Sequence, residues 1–148
     1  MFTGTSKPPL AELPTLEQLK ATAGGTNDYE ASRAGLLLQQ IESGKALSKT
    51  YRYPVGVWRI GGQVSLVFLG GEVVVDYSLR IKDELDGPTW IAGYANDVMA
   101  YIPSRRVLAE GGYEGATSMV YYGLPTLWAP EIEETIIGAV KAAANGAR

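Results

Sequence analysis

With 148 residues, 46% of them apolar and 20% charged, the chain can bury one core and is too short for two ordinary domains. Thirteen basic residues scattered among sixteen acidic ones give a net charge of −3. That excludes a nucleic-acid footprint, and no apolar run reaches the roughly 18 residues a membrane helix needs. There is no cysteine and no histidine, so disulfides, thiolate nucleophiles and histidine ligands or bases cannot come from this sequence.

The first ten residues lack the apolar stretch of a targeting segment. Residues 1–14, with Pro8, Pro9 and Pro14, read as an extended arm, followed by a single α/β domain over 15–148. Thr15-Leu16-Glu17-Gln18 is a capping-box pattern that starts a short helix ending at Gly24-Gly25. Asn27 offers a second helix start, with Ala34, Leu37, Leu38 and Ile41 on one face and Gly44 closing it. Val55–Ile60 and Val64–Leu69 are β-rich runs joined by Gly61-Gly62-Gln63, which predicts a hairpin. Helical character follows from Glu72 to Leu85, with Val74, Tyr77, Ile81 and Leu85 on one side. Gly87-Pro88 breaks it, and Trp90–Tyr94 reads as a third strand. Strand, helix, strand suggests a parallel crossover, hence a mixed α/β sheet with flanking helices. From Asn96 to Trp128 the pattern is irregular, with a short helix at Ser104–Ala109. Pro130 and Glu131, Glu133 and Glu134 then open a last helix striped by Ile132, Ile136, Val140 and Ala143.

Ligands in open α/β sheets gather at the carboxyl ends of strands. Two strands here end in polar residues, at Leu69-Gly70-Gly71-Glu72 and at Tyr94-Ala95-Asn96-Asp97. On the physics alone, Glu72 reads more readily as a capping or first-turn helix charge than as a site residue. Each tyrosine of the irregular stretch, taken singly, reads first as an amphipathic packing group with a wet hydroxyl. Arg105 and Arg106 are surface charges or carboxylate partners. Asn96, Asp97 and Arg105 remain site candidates.

Taken together, three segments resemble the neutral/alkaline ceramidases, zinc-dependent amidases that cleave the N-acyl bond of ceramide. Val57-Trp58-Arg59-Ile60-Gly61 followed by Leu69-Gly70-Gly71-Glu72 is similar to that family's strand–strand–Gly–Glu passage. Gly93-Tyr94-Ala95-Asn96-Asp97-Val98-Met99-Ala100-Tyr101 resembles its Gly-Tyr-x-Asn-x-Tyr-x-x-Tyr stretch, and Gly112-Tyr113-Glu114-Gly115 its Gln-Tyr-Glu-Gly stretch. Tyr101 and Tyr113 are 113 − 101 = 12 residues apart, the spacing of the family's paired functional tyrosines. Departures at Val73-Val74-Val75-Asp76 and at Ile102-Pro103-Ser104 resemble a bacterial ceramidase-like branch.

The resemblance implies that Glu72 and Tyr101 descend from zinc ligands and that Tyr113 stabilises the oxyanion. The family's other two ligands are histidines far upstream, and none is present here. The sequence therefore reads as the carboxyl-terminal portion of a larger α/β catalytic domain, with zinc and a lipid amide substrate in the intact parent. No tightly bound zinc and no turnover are expected of this chain by itself. The alternatives are a non-catalytic interaction domain on the same scaffold, or a split hydrolase whose histidine-bearing half is another polypeptide. A homo-oligomer, or association with that missing half, is expected because an incomplete domain leaves sheet surface uncovered. Family members are often secreted or periplasmic; the compartment of this chain stays open.

Overall fold

A computed structural model of the chain describes residues 2–146. Four strands form a mixed sheet in the order β1 (Phe2–Ser6), β2 (Tyr53–Ile60), β3 (Val64–Leu69), β5 (Thr89–Ala92). The pairs β1/β2 and β2/β3 are antiparallel, and β3/β5 is parallel. The β2–β3 hairpin turns on Gly61 and Gly62, whose φ values of 59° and 71° suit a tight turn. Between β3 and β5 the chain makes the two-residue strand β4 (Glu72–Val73) and helix α3 (Val75–Glu84), the crossover a parallel pair requires. The α/β architecture expected from the sequence is the one observed.

The last helix, α6 (Ile132–Gly146), packs across β1 and β2 and touches α3. Its expected stripe of Ile132, Ile136, Val140 and Ala143 is buried, together with Ile137 and Ala144. These residues meet Val55, Val57, Val67 and Leu69 from the sheet in one core, which also holds Tyr53, Tyr77, Ile81 and Ile102. Each fully buried aliphatic side chain there contributes about 1.5–3 kcal/mol.

Helices α1 (Leu16–Ala23) and α2 (Asp28–Glu42) form a hairpin with its own small core of Leu19, Ala34 and Leu37. The Thr15 capping box is present, and Asn27 caps α2 by accepting from Tyr29 and Glu30 backbone N–H groups. The amino-terminal stretch expected as an arm is extended but not free. Phe2–Ser6 completes the sheet edge, and residues 8–11 are threaded between two segments by Tyr51 N–H to Pro8 O (3.1 Å) and Ala11 N–H to Leu127 O (2.8 Å). The irregular stretch after Asn96 contains β6 (Tyr101–Ile102), α4 (Arg105–Glu110, capped by Ser104), the one-turn α5 (Gly112–Gly115) and a 3₁₀ turn at Thr117–Tyr121.

The other face of the sheet is barely covered. Trp58 on β2, Leu66 on β3 and Trp90 on β5 are register partners in one row across three strands. Trp58 and Trp90 are 42% and 64% exposed, and Ile60 beside them is 50% exposed.

Candidate active site

The site is built at the carboxyl ends of β3 and β5, where two short segments cross. After Leu69 the chain turns at Gly70-Gly71 into β4, which pairs in parallel with β6 so that Glu72 is the register partner of Tyr101. Gly71 makes this possible. Its φ is 68°, and a Cβ there would lie 2.7 Å from both the Ala100 carbonyl oxygen and Ile102 Cγ1. The pairing is fixed by Gly71 N–H to Asp97 O (2.7 Å), Glu72 N–H to Ala100 O (2.9 Å) and Val74 N–H to Ile102 O (3.2 Å).

Glu72 is half-buried, and its carboxylate is the neighbour that most perturbs the Tyr101 and Tyr94 hydroxyls. Hydrogen bonding to this carboxylate, with a smaller effect of burial, pushes both phenols up to about 12. Tyr122, half-buried nearby, is also raised, first by burial and then by the Glu72 charge. Tyr113 comes from α5, and its ring lies edge-on to that of Tyr101, with centroids 5.5 Å apart and planes at 73°. α5 can approach because Gly115 sits against α4: a Cβ there would fall 2.4 Å from the Val107 carbonyl oxygen. A cleft of about 240 Å³ beside the pair is lined by Glu72, Val73–Asp76, Tyr101, Arg106, Val107 and Glu114.

Of the residues singled out in the sequence, the structure brings Glu72, Tyr101 and Tyr113 together. Asp97 acts from behind: its carboxylate accepts from the Tyr51 hydroxyl (2.5 Å) and its carbonyl from Gly71. Asn96, with φ 70°, lines a different groove, beside Trp58 and Phe68 on the bare sheet face. Arg105 is exposed at the start of α4, where its backbone N–H donates to Glu133 (2.7 Å). The neighbouring Arg106, rather than Arg105, lines the cleft and pairs with Asp76 (2.9 Å). Arg106 and then Ser104 hold Asp76 below the usual carboxylate range by hydrogen bonding.

Sequence reasoning gave no role to Tyr94 or Tyr122, nor to three core donors behind the site. Tyr53 donates to Gly70 O (2.7 Å), Tyr77 to Pro103 O (3.1 Å) and Trp128 Nε1 to Tyr101 O (2.9 Å). Helical periodicity marked Tyr77 as buried; nothing in the sequence marked where its hydroxyl goes.

As a metal site, the cluster offers the oxygen donors of the resemblance, one carboxylate and one phenol on register partners. They fit that half of a tetrahedral zinc site. The nitrogen half has no counterpart in a sequence without histidine, and no group of three or more metal-binding acids gathers among the described residues. Comparison of the chain with protein-family models, curated proteins and solved structures gives no match.

Proposed function

We propose that Glu72, Tyr101 and Tyr113 are the carboxylate-and-phenol half of a zinc-dependent amidohydrolase centre of the neutral-ceramidase type. Two histidines from outside this sequence, on the same polypeptide or on a partner, complete it. One observation carries the reading: residues 29 apart in sequence (101 − 72), which resemble two ligands of one metal, are register partners on adjacent short strands, and the ring of Tyr113 lies against the second.

Zinc bound there would supply Lewis acidity, lowering the pKa of water to about 7 and polarising the amide carbonyl. Glu72 would contribute the charge and Tyr101 the second oxygen. Tyr113, 55% exposed and able to reach outward, would donate to the oxygen on which charge develops, worth on the order of 3 kcal/mol. Water adds to the acyl carbon, the C–N bond breaks, and the products are a fatty carboxylate and a protonated long-chain amine.

The test is made on a protein that joins this chain to its histidine-bearing part, with a short-chain N-acyl sphingosine as substrate. Glu72→Gln and Tyr101→Phe should each lose zinc and turnover. Tyr113→Phe should keep zinc while kcat falls about 10²–10³-fold. The 148-residue chain alone should retain no zinc on dialysis, since two oxygens are too few ligands. Turnover unaffected by Glu72→Gln would refute the reading.

A second reading is favoured by the bare Trp58–Leu66–Trp90 row. In it the chain is a non-catalytic interaction domain that pairs through this face with a second copy as a two-fold dimer. Light scattering should then give a dimer that Trp58→Lys with Trp90→Lys converts to a folded monomer. A wild-type monomer at high concentration would sink it.

A further inference from the structure

We infer that a pocket between the α1–α2 hairpin and the body of the fold binds a small organic monocarboxylate with an apolar tail, held through Arg33. None of its lining residues belongs to the Glu72 cluster, so this site is independent of the hydrolase reading. The pocket encloses about 390 Å³, within the roughly 300–1,000 Å³ of small-molecule sites. Its floor is the hairpin's own core of Leu19, Ala34 and Leu37, and residues 12–14 and 125–127 make the opposite walls. Ala11 N–H to Leu127 O (2.8 Å) and the bridge between Leu10 and Trp128 tie those two segments together, so the walls are fixed.

Among the described residues, Arg33 is the only cation lining the pocket and Glu12 the only acid. Arg33 is half-buried, and its guanidinium makes no hydrogen bond and no ion pair with any described residue. Arg80 and Arg106, by contrast, each hold at least two carboxylates. Burial pulls the Arg33 guanidinium below its ordinary value, and the charge of Glu30 one turn back offsets only part of that. A half-dehydrated guanidinium without an acceptor is unfavourable, and a ligand that supplies one is held by it. Gln18 adds a second donor. The capping box engages its Oε1 with Thr15 N–H (2.8 Å), which leaves Nε2 without a partner among the described residues. A carboxylate matches the guanidinium fork with two parallel hydrogen bonds. Glu12 on the same lining repels a second negative charge, which disfavours phosphates and dicarboxylates. Leu19, Leu37 and Leu127 offer a hydrocarbon tail its cover.

The test is a titration of the nitrogen-15-labelled 148-residue chain with octanoate, followed by amide shifts. Octylammonium and the dicarboxylate suberate serve as probes of the same length and different charge. Octanoate should give saturable shifts in residues 12–22, 33–37 and 126–127, with a Kd of about 1 mM or tighter. Suberate should bind about tenfold more weakly, and octylammonium should not saturate the pocket. Arg33→Met should weaken octanoate about tenfold or more while leaving the Tm of the ligand-free chain unchanged, since Arg33 has no protein partner to lose. Arg33→Lys, which keeps the charge and loses the fork, should weaken it less. Glu12→Gln should narrow the gap between octanoate and suberate. Equal octanoate affinity in wild type and both Arg33 variants overturns the assignment. So does the absence of saturable shifts at the pocket, or shifts centred on residues 54–58 and 68, which would mean that the tail merely adsorbs to the bare sheet face.

Discussion

Replacing Gly71 by alanine tests whether the close crossing of the two short strands builds the site. Two costs combine at that position. The left-handed backbone (φ 68°) penalises any Cβ by about 1–2 kcal/mol. The new methyl would also stand 2.7 Å from the Ala100 carbonyl oxygen, which is a backbone atom and cannot swing aside. Relief requires β4 to move off β6, weakening the Gly71–Asp97 and Glu72–Ala100 hydrogen bonds at about 1 kcal/mol each. The sum is about 3–4 kcal/mol, which for a chain of this size lowers Tm by roughly 10 °C. Gly112→Ala is the internal control: its φ is 69°, but a Cβ there meets nothing within 4 Å, so only the conformational cost of about 1–2 kcal/mol applies. Urea unfolding of both variants, with m compared to wild type, separates the two contributions. A Gly71→Ala cost no larger than that of Gly112→Ala would refute the argument that contact with β6 fixes this glycine.

Alkaline stability should fall steeply, because burial raises the Tyr53 and Tyr77 phenols above their ordinary value. The unfolded chain releases these protons near pH 10 while the fold keeps them, so the stabilisation is complete below about pH 10 and declines above it by about 1.4 kcal/mol per pH unit per phenol. Tyr53→Phe or Tyr77→Phe should flatten that slope by one proton, and an unchanged slope in either variant would contradict the burial. Ile136→Ala, at a side chain with no exposed surface, should cost about 2–5 kcal/mol in urea unfolding; a loss under 1 kcal/mol would mean that α6 is not seated on the sheet as described.

Elements whose pattern is periodic were readable from the sequence: the capped helices α1 and α2, the β2–β3 hairpin, and α6 with its stripe of Ile132, Ile136, Val140 and Ala143. Others had no signal to read. Phe2–Ser6 has a glycine and three hydroxyl residues where a strand pattern would need apolar alternation, and it becomes β1 because the outer edge of β2 offers it a full set of partners. β4 and β6 are two residues each, too short for any period. The helix expected from Glu72 begins at Val75, because Glu72 and Val73 are taken by β6. The pairing of Glu72 with Tyr101 could be anticipated only through the family resemblance, since nothing in composition or spacing joins residues so far apart. The left-handed backbone at Tyr94 (φ 54°) escaped too, because sequence patterns of apolar and polar residues carry no trace of a backbone angle.

Short strands raise the question of what holds a site that ladders cannot. A tally of its carbonyls answers it. On the first segment, Leu69 O, Gly70 O and Gly71 O accept from Ala95 N–H, the Tyr53 hydroxyl and Tyr94 N–H. On the second, Ala100 O, Tyr101 O, Ile102 O and Pro103 O accept from Glu72 N–H, Trp128 Nε1, Val74 N–H and the Tyr77 hydroxyl. No carbonyl in either run is left over, and aromatic donors from the core fill the places where no strand neighbour is in reach. Tyr53, Tyr77 and Trp128 belong to the same cluster as the α6 stripe, so the packing of that helix bears on how firmly the two segments are clamped. The design also explains why the exposed side of the site can be polar and open: its rigidity comes from behind. Glu72, Tyr101 and Tyr113 need not be buried to be fixed, because the backbone beneath the first two is tied to side chains that are.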